Sequence, residues 1–233
     1  MKTETAKSCE GCLSAAFCIP RQLDLIDSNG STLTKSTFCG PAGRVIRPDP
    51  SSPKLIVIRS GWAAKYLLFT DGRRQIVDIL LPGDLATCEE VVSPGSSLPM
   101  FGLSDLEVCV FDRDCFMSAI EKRPEALLEL WRTCSVQVQR LRRLLAAMGQ
   151  QSAEARIADL IVSLHRRLKT LGKATDEDMP FHLRQIDLAE ILGLTQVHVS
   201  RMLALLKAKK VIRIEESAIT FLDLPALKLI AQA

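Results

Sequence analysis

The sequence predicts an α+β chain: an N-terminal antiparallel β-roll, one long dimerisation helix, and a C-terminal winged helix-turn-helix. Three observations carry that expectation. Short apolar runs separated by turn signals occupy residues 21–118. Apolar residues then recur in steps of four and three over three heptads. A helix–glycine–helix pattern, followed by two short β-runs, closes the chain.

At 233 residues, with 47% hydrophobic and 24% charged side chains, the chain is globular and long enough for one large domain or two ordinary ones. There is no basic-then-apolar leader and no run of about 18 apolar residues. The expectation is a cytoplasmic protein with no membrane partner. Charge is unevenly placed. Residues 1–119 carry 12 Lys/Arg and 14 Asp/Glu, whereas residues 120–233 carry 18 and 13. A basic C-terminal half suits a polyanion, because Lys and Arg displace counterions from a phosphate backbone.

Residues 1–20 form a cysteine-rich segment holding Cys9, Cys12 and Cys18. The roll is expected over 21–118. Leu55–Arg59 and Ala63–Phe69 read as strands, Thr70-Asp71-Gly72 as a hairpin turn, and Gln75–Leu81 as a third strand before Pro82-Gly83-Asp84. The dimerisation helix is expected over 119–150. Its seam runs through Leu127, Trp131, Cys134, Val138, Leu141, Leu145 and Met148. Trp131, Val138, Leu141, Leu145 and Met148 are the predicted dimer interface, and the alternative is a helix packed only on its own β-domain.

The DNA-binding domain is expected over 151–233. Ser152 marks its entry, Ala153–Leu171 is an amphipathic helix, and Gly172–Pro180 reads as a polar loop. Ile186–Leu192 is a short helix, Gly193 supplies the left-handed turn, and Thr195 caps a second helix to about Ala208. Ala189 and Val199 stand at the small and β-branched positions where two such helices cross. Val211–Ile214 and Ala218–Phe221 form the wing, and Asp223 with Pro225 opens a last helix. The second helix presents Gln196, Val197, His198, Ser200 and Arg201 to double-stranded DNA, while Val199, Met202 and Leu203 face inward. Arg201 suits a bidentate contact to guanine.

Taken together these features resemble the CRP/FNR family of bacterial regulators over nearly the whole chain, most closely at Gly83-Asp84-Leu85 and Leu194–Leu206. The resemblance implies a cyclic-nucleotide-binding-like roll, a homodimer on a palindromic site, and RNA polymerase as a further partner. The family's nucleotide-binding branch carries a Gly-Glu pair after the Gly-Asp turn and then an Arg before Ser or Thr. Here Leu85-Ala86-Thr87-Cys88-Glu89-Glu90 lacks the glycine and Ser96–Leu103 lacks any Arg, so no cyclic nucleotide is expected. The iron–sulfur branch resembles this chain in its cysteines. Cys9, Cys12 and Cys18 end in Cys18-Ile19-Pro20, and Cys109 occupies the place of a fourth ligand. That resemblance implies a [4Fe–4S] cluster and oxygen sensing. The branch has a glutamate where this chain has Val197, which implies a half-site altered at one base pair, with valine meeting a thymine methyl.

Two other chemistries remain open for the same thiols: a structural zinc and a thiol redox switch. Cys39, Cys88, Cys115 and Cys134 read as buried small hydrophobes, with Cys115 in reserve should Cys109 face away. His165, His182 and His198 show no ligand spacing. No nucleophile–base pair is evident; Asp176-Glu177-Asp178 and Glu89-Glu90 read as solvated turns, so the chain is not expected to be an enzyme. A protein-interaction module using the heptad helix is the remaining alternative.

Overall fold

A computed structural model of the chain describes residues 35–121 and 125–232. Cys9, Cys12 and Cys18 lie outside those residues. The described chain divides into two compact units, one reaching Phe69 and resuming over Val77–Gln139, the other comprising Thr70–Ile76 and the chain from Arg140.

Seven strands build the roll: β1 (Lys35–Gly40), β2 (Val45–Ile46), β3 (Lys54–Ser60), β4 (Ala63–Leu68), β5 (Arg74–Leu80), β6 (Met100–Gly102) and β7 (Leu106–Asp112). They form two sheets, ordered β1-β7-β3 and β2-β6-β4-β5. In the first, β7 is central and antiparallel to both neighbours, with Cys109 opposite Thr37 and Val57. Side-chain alternation then separates two cores. Ile56, Ile58, Val108 and Val110 turn toward Phe38, Leu80 and Met100. Leu55, Val57, Cys109 and Phe111 turn the other way, toward Phe116, Ile120, Ala126 and Leu130 of the helices that follow. Burial on both faces is the reason Leu55–Ile58 reads as a continuous apolar run rather than an alternating one.

The helical period starts before Ile120. Asp112 Oδ1 accepts from Asp114 N at 3.0 Å and Cys115 N at 3.2 Å, and this cap opens α1 (Arg113–Glu121). The long helix α2 (Glu125–Gln150) follows. In the second unit Ser152 Oγ accepts from Ala155 N and opens α3 (Ala153–Thr170). Next come β8 (Asp178–Pro180), α4 (Gln185–Leu192), α5 (Gln196–Ala208), β9 (Ile212–Glu215), β10 (Ala218–Phe221) and α6 (Leu224–Ile230). The expected polar loop therefore ends in a strand. Met179 is buried opposite Ile219, so the wing is three-stranded, in the order β8-β10-β9. Among the described residues no helix is long and apolar enough to cross a membrane.

The turn between β3 and β4 has one permissible residue. Gly61 sits at φ +79°, and a Cβ there would lie 2.0 Å from the Asp105 carbonyl oxygen. Replacing Gly61 with Ala is expected to cost about 1–3 kcal/mol for the backbone conformation alone, with a further loss from displacing residue 105. Urea unfolding of the variant checks this; an unchanged midpoint contradicts it.

Candidate nucleic-acid interface and sensor thiols

The turn between α4 and α5 is built by local chemistry. Gly193 adopts φ 63°, ψ 38°, and its N–H donates to Ala189 O; Leu194 N donates to the same oxygen at 3.1 Å. Thr195 Oγ1 accepts from His198 N at 3.2 Å and starts α5. The α4 end is fixed by a carboxylate the sequence reasoning did not single out. Asp187, with its side chain fully buried, accepts from the Arg184 backbone N–H at 2.8 Å and from its guanidinium at 2.9 and 3.0 Å. Ala189 and Val199 are both buried, as their helix-crossing positions require.

That packing leaves one side of α5 open. Val199, Leu203 and Leu206 are buried and Met202 is half-buried, while Gln196, Val197, His198, Ser200 and Arg201 are all exposed. Val197, an apolar side chain at the start of the helix, is 61% exposed. Arg184, Lys207, Lys210 and Arg213 add exposed positive charge in the same unit. Of the cations in this unit, Arg184 is paired with Asp187, Arg213 with Glu215 at 3.1 Å and Lys209 with Glu154 at 2.6 Å.

Helix α2 has two apolar faces. Ala126 and Leu130 are buried in the helix-side core, and Cys134 packs against that core. On the other face Leu127, Trp131, Val138, Leu141 and Leu145 are exposed, Trp131 at 72% and Leu145 at 70%. A contiguous exposed apolar stripe of this kind marks an interaction surface. Two members of the expected seam depart from it. Cys134 turns toward the roll, and the Met148 side chain ends beside Gly193, with Cε 2.9 Å from where a Cβ would stand.

The cysteines do not share one environment. Cys109 is buried on the helix-facing side of β7. Cys39 and Cys115 are exposed, not buried small hydrophobes. Cys88 is buried and Cys134 half-buried; Cys134 packs against the core that holds Cys88, and Cys88 Sγ donates to Gln137 Oε1 at 2.9 Å. Among the described residues no group of three or more His, Cys, Asp or Glu side chains could hold a metal.

Glu89 and Glu90 are not a solvated turn. Glu89 pairs with the buried Lys65 at 2.6 Å. Glu90 is buried, and its carboxylate accepts from Gly95 N at 2.7 Å and Ser97 N at 3.1 Å. Backbone N–H groups that could cradle an anion are thus already occupied by a carboxylate. The signal was present as two adjacent acids ahead of Ser93-Pro94-Gly95-Ser96-Ser97, but a turn closing back on its own carboxylate has no sequence period.

Comparison with known proteins matches residues 155–230 to the Crp-like helix-turn-helix domain. The chain is 30% identical over 168 residues to the nitrogen fixation regulation protein FixK of Bradyrhizobium diazoefficiens, covering 72% of this chain and 70% of that protein. It is 27% identical over 227 residues to the anaerobic regulatory protein of Pasteurella multocida, covering 94% and 81%. Its fold is similar to the structure of FixK2 from Bradyrhizobium japonicum, with a TM-score of 0.75 at 23% identity over 86% of this chain and 98% of that one.

Proposed function

The chain belongs to the CRP/FNR family of DNA-binding transcription regulators, and on that premise we propose that it acts as a cytoplasmic homodimer sensing oxygen or redox state through a [4Fe–4S] cluster on Cys9, Cys12, Cys18 and Cys109. It is a regulator of transcription, as its relatives are, and not an enzyme. The name of the Pasteurella relative, an anaerobic regulatory protein, supports the oxygen-linked reading. RNA polymerase is the further partner it implies.

Cys109 is the observation that carries the sensor assignment. Its side chain stands among Leu55, Val57 and Phe111 on the side of the sheet facing α1 and α2. It is also paired across the ladder with Thr37 of β1, the first described strand. A coordinating metal deprotonates a thiol outright, so the residue is chemically able to serve as a thiolate ligand. When bound, the cluster supplies an oxygen-labile link between the N-terminal segment and β7. The Glu90 carboxylate, holding Gly95 and Ser97, supports the absence of a cyclic nucleotide from this account, because a phosphate there would meet negative charge.

For DNA, the exposed residues of α5 are the reading surface. Arg201 reaches a guanine, Ser200 and His198 stand beside it, and Val197 meets a thymine methyl. Gln196, at the start of the same helix, completes the surface. For assembly, Trp131, Val138, Leu141 and Leu145 of two copies cover each other, with Met148 held back against Gly193. Two-fold pairing brings two copies of α5 to successive major grooves of a palindrome.

Three outcomes are expected. Anaerobically purified protein is brown, with about four irons and four labile sulfides per subunit as in a [4Fe–4S] centre. Serine at Cys9, Cys12, Cys18 or Cys109 removes them, and serine at Cys39 or Cys134 does not. A colourless protein with one zinc overturns the assignment. Arg201→Ala weakens specific binding by about 1–3 kcal/mol, read by titration of a labelled palindromic duplex, and selection of the glutamate-type half-site by the unmodified protein contradicts the role of Val197. The cluster-free protein sediments as a dimer, because its exposed stripe is wholly apolar and each buried leucine contributes roughly 1.5–3 kcal/mol. Leu141→Asp gives folded monomers that do not bind DNA; a monomeric unmodified protein at micromolar concentration overturns the interface.

A further inference from the structure

Cys88 and Cys134 are 46 positions apart in sequence and meet in the helix-side core of the first unit. Cys88 opens the short 3₁₀ turn Cys88–Val91, which follows the roll's Gly83-Asp84 corner. Cys134 lies on the inner face of α2, one turn before Gln137. Gln137 holds the two elements together: its Nε2 donates to Leu85 O at 2.8 Å, and its Oε1 accepts from Cys88 Sγ at 2.9 Å. The Cys88 hydrogen is thus donated to the Gln137 carbonyl, one helical turn from Cys134, which packs against the same core.

We propose that Cys88 and Cys134 form a reversible dithiol–disulfide site, oxidised by hydrogen peroxide, that joins the turn after Asp84 covalently to the inner face of α2. The site is independent of the cluster, since neither cysteine is among its four ligands. The two sulfurs have different environments, and the chemistry uses that difference. Cys88 is the more buried. Its interaction with Cys134, then burial, then the nearby Glu89 carboxylate push its thiol up from the ordinary value. The same interaction draws the Cys134 thiol down. Cys134, the less buried of the two, is the sulfur that peroxide reaches first, and as a thiolate it is the nucleophile.

The step balances with peroxide as the oxidant. The Cys134 thiolate attacks one peroxide oxygen, the O–O bond breaks, and Cys134 sulfenic acid and hydroxide form. The Cys88 sulfur, giving up its proton, then attacks the sulfenic sulfur and displaces water. Each sulfur loses one electron to the new S–S bond, and peroxide leaves as two waters. A second thiol in the same core makes this resolution faster than further oxidation of Cys134. Thiol reductant reverses it by exchange.

The consequence follows from where the two sulfurs are anchored. The inner face of α2 carries Cys134, and its outer face carries Trp131 and Val138. A covalent link fixes the rotation of that helix segment relative to the turn, which the hydrogen bonds of Gln137 alone leave free to change.

The test uses the full-length chain with Cys12→Ser, which lacks the cluster on the reading above, reduced and then exposed to stoichiometric hydrogen peroxide. Remaining thiols are alkylated and the protein is digested for mass spectrometry. The expected result is a peptide cross-linked between Cys88 and Cys134, a loss of two alkylatable thiols per subunit, and full recovery with dithiothreitol. Cys88→Ala and Cys134→Ala, shown folded by circular dichroism, each abolish the cross-link, and Cys39→Ser leaves it. Repeating the treatment on the cluster-containing protein gives the same peptide, so a missing cluster and a missing disulfide are read separately. Full alkylation of both cysteines after peroxide, irreversible oxidation of Cys134 without a cross-link, or a Cys134 bridge between two copies overturns the proposal.

Discussion

The apolar side chains of α2 lie on two faces that one neighbour cannot cover. Ala126 and Leu130 are buried on the helix-side core of the roll, and they orient the helix so that Leu127, Trp131, Val138, Leu141 and Leu145 point away from it. A helix of 26 residues is about 39 Å long, and its residues fall partly in the first unit and partly in the second. Any change that alters how its inner face packs also alters the surface offered by its outer face. The core around Cys109 and the apolar face of the proposed dimer lie on opposite sides of this one element.

The inner face is where the chemistry collects. Cys109 reaches it from β7, Cys88 from the turn after Asp84, and Cys134 from α2 itself. Three thiols around one apolar core are more than packing requires, since alanine or valine would fill the same volume without an S–H. Gln137 adds a polar clasp in the same place, tying Leu85 and Cys88 to the helix. The neighbouring Glu90 closes its own loop on Gly95 and Ser97. The region that other members of the family devote to a phosphate is here built around carboxylates and sulfur.

What could be read from the sequence is what depends on near neighbours along the chain. The turn at Gly193, the caps at Ser152, Thr195 and Asp223, and the inward set Val199 and Leu203 all follow from interactions within a few residues, and each has a residue type that signals it. The strands at Leu55 and Ala63 were legible for the same reason. What depends on the fold bringing distant segments together was not. The exposure of Cys39 and Cys115, the packing of Cys134 against the core that holds Cys88, and the burial of Glu90 have no periodicity to betray them. Met148 keeps heptad spacing yet packs by Gly193, because the helix-turn-helix offers it a closer neighbour than the seam. The strand at Asp178–Pro180 was hidden by polar flanks around a single buried methionine.

The central claim is that two chains joined along the outer face of α2 read two half-sites at once. The most direct measurement is the stoichiometry and salt dependence of complexes with a palindromic duplex and with a duplex carrying one intact half-site, by sedimentation velocity. The account predicts two chains per palindromic duplex, marked loss of affinity when one half-site is scrambled, and binding that falls linearly on a logarithmic scale as salt rises. One chain per duplex, with equal affinity for both duplexes, would contradict it.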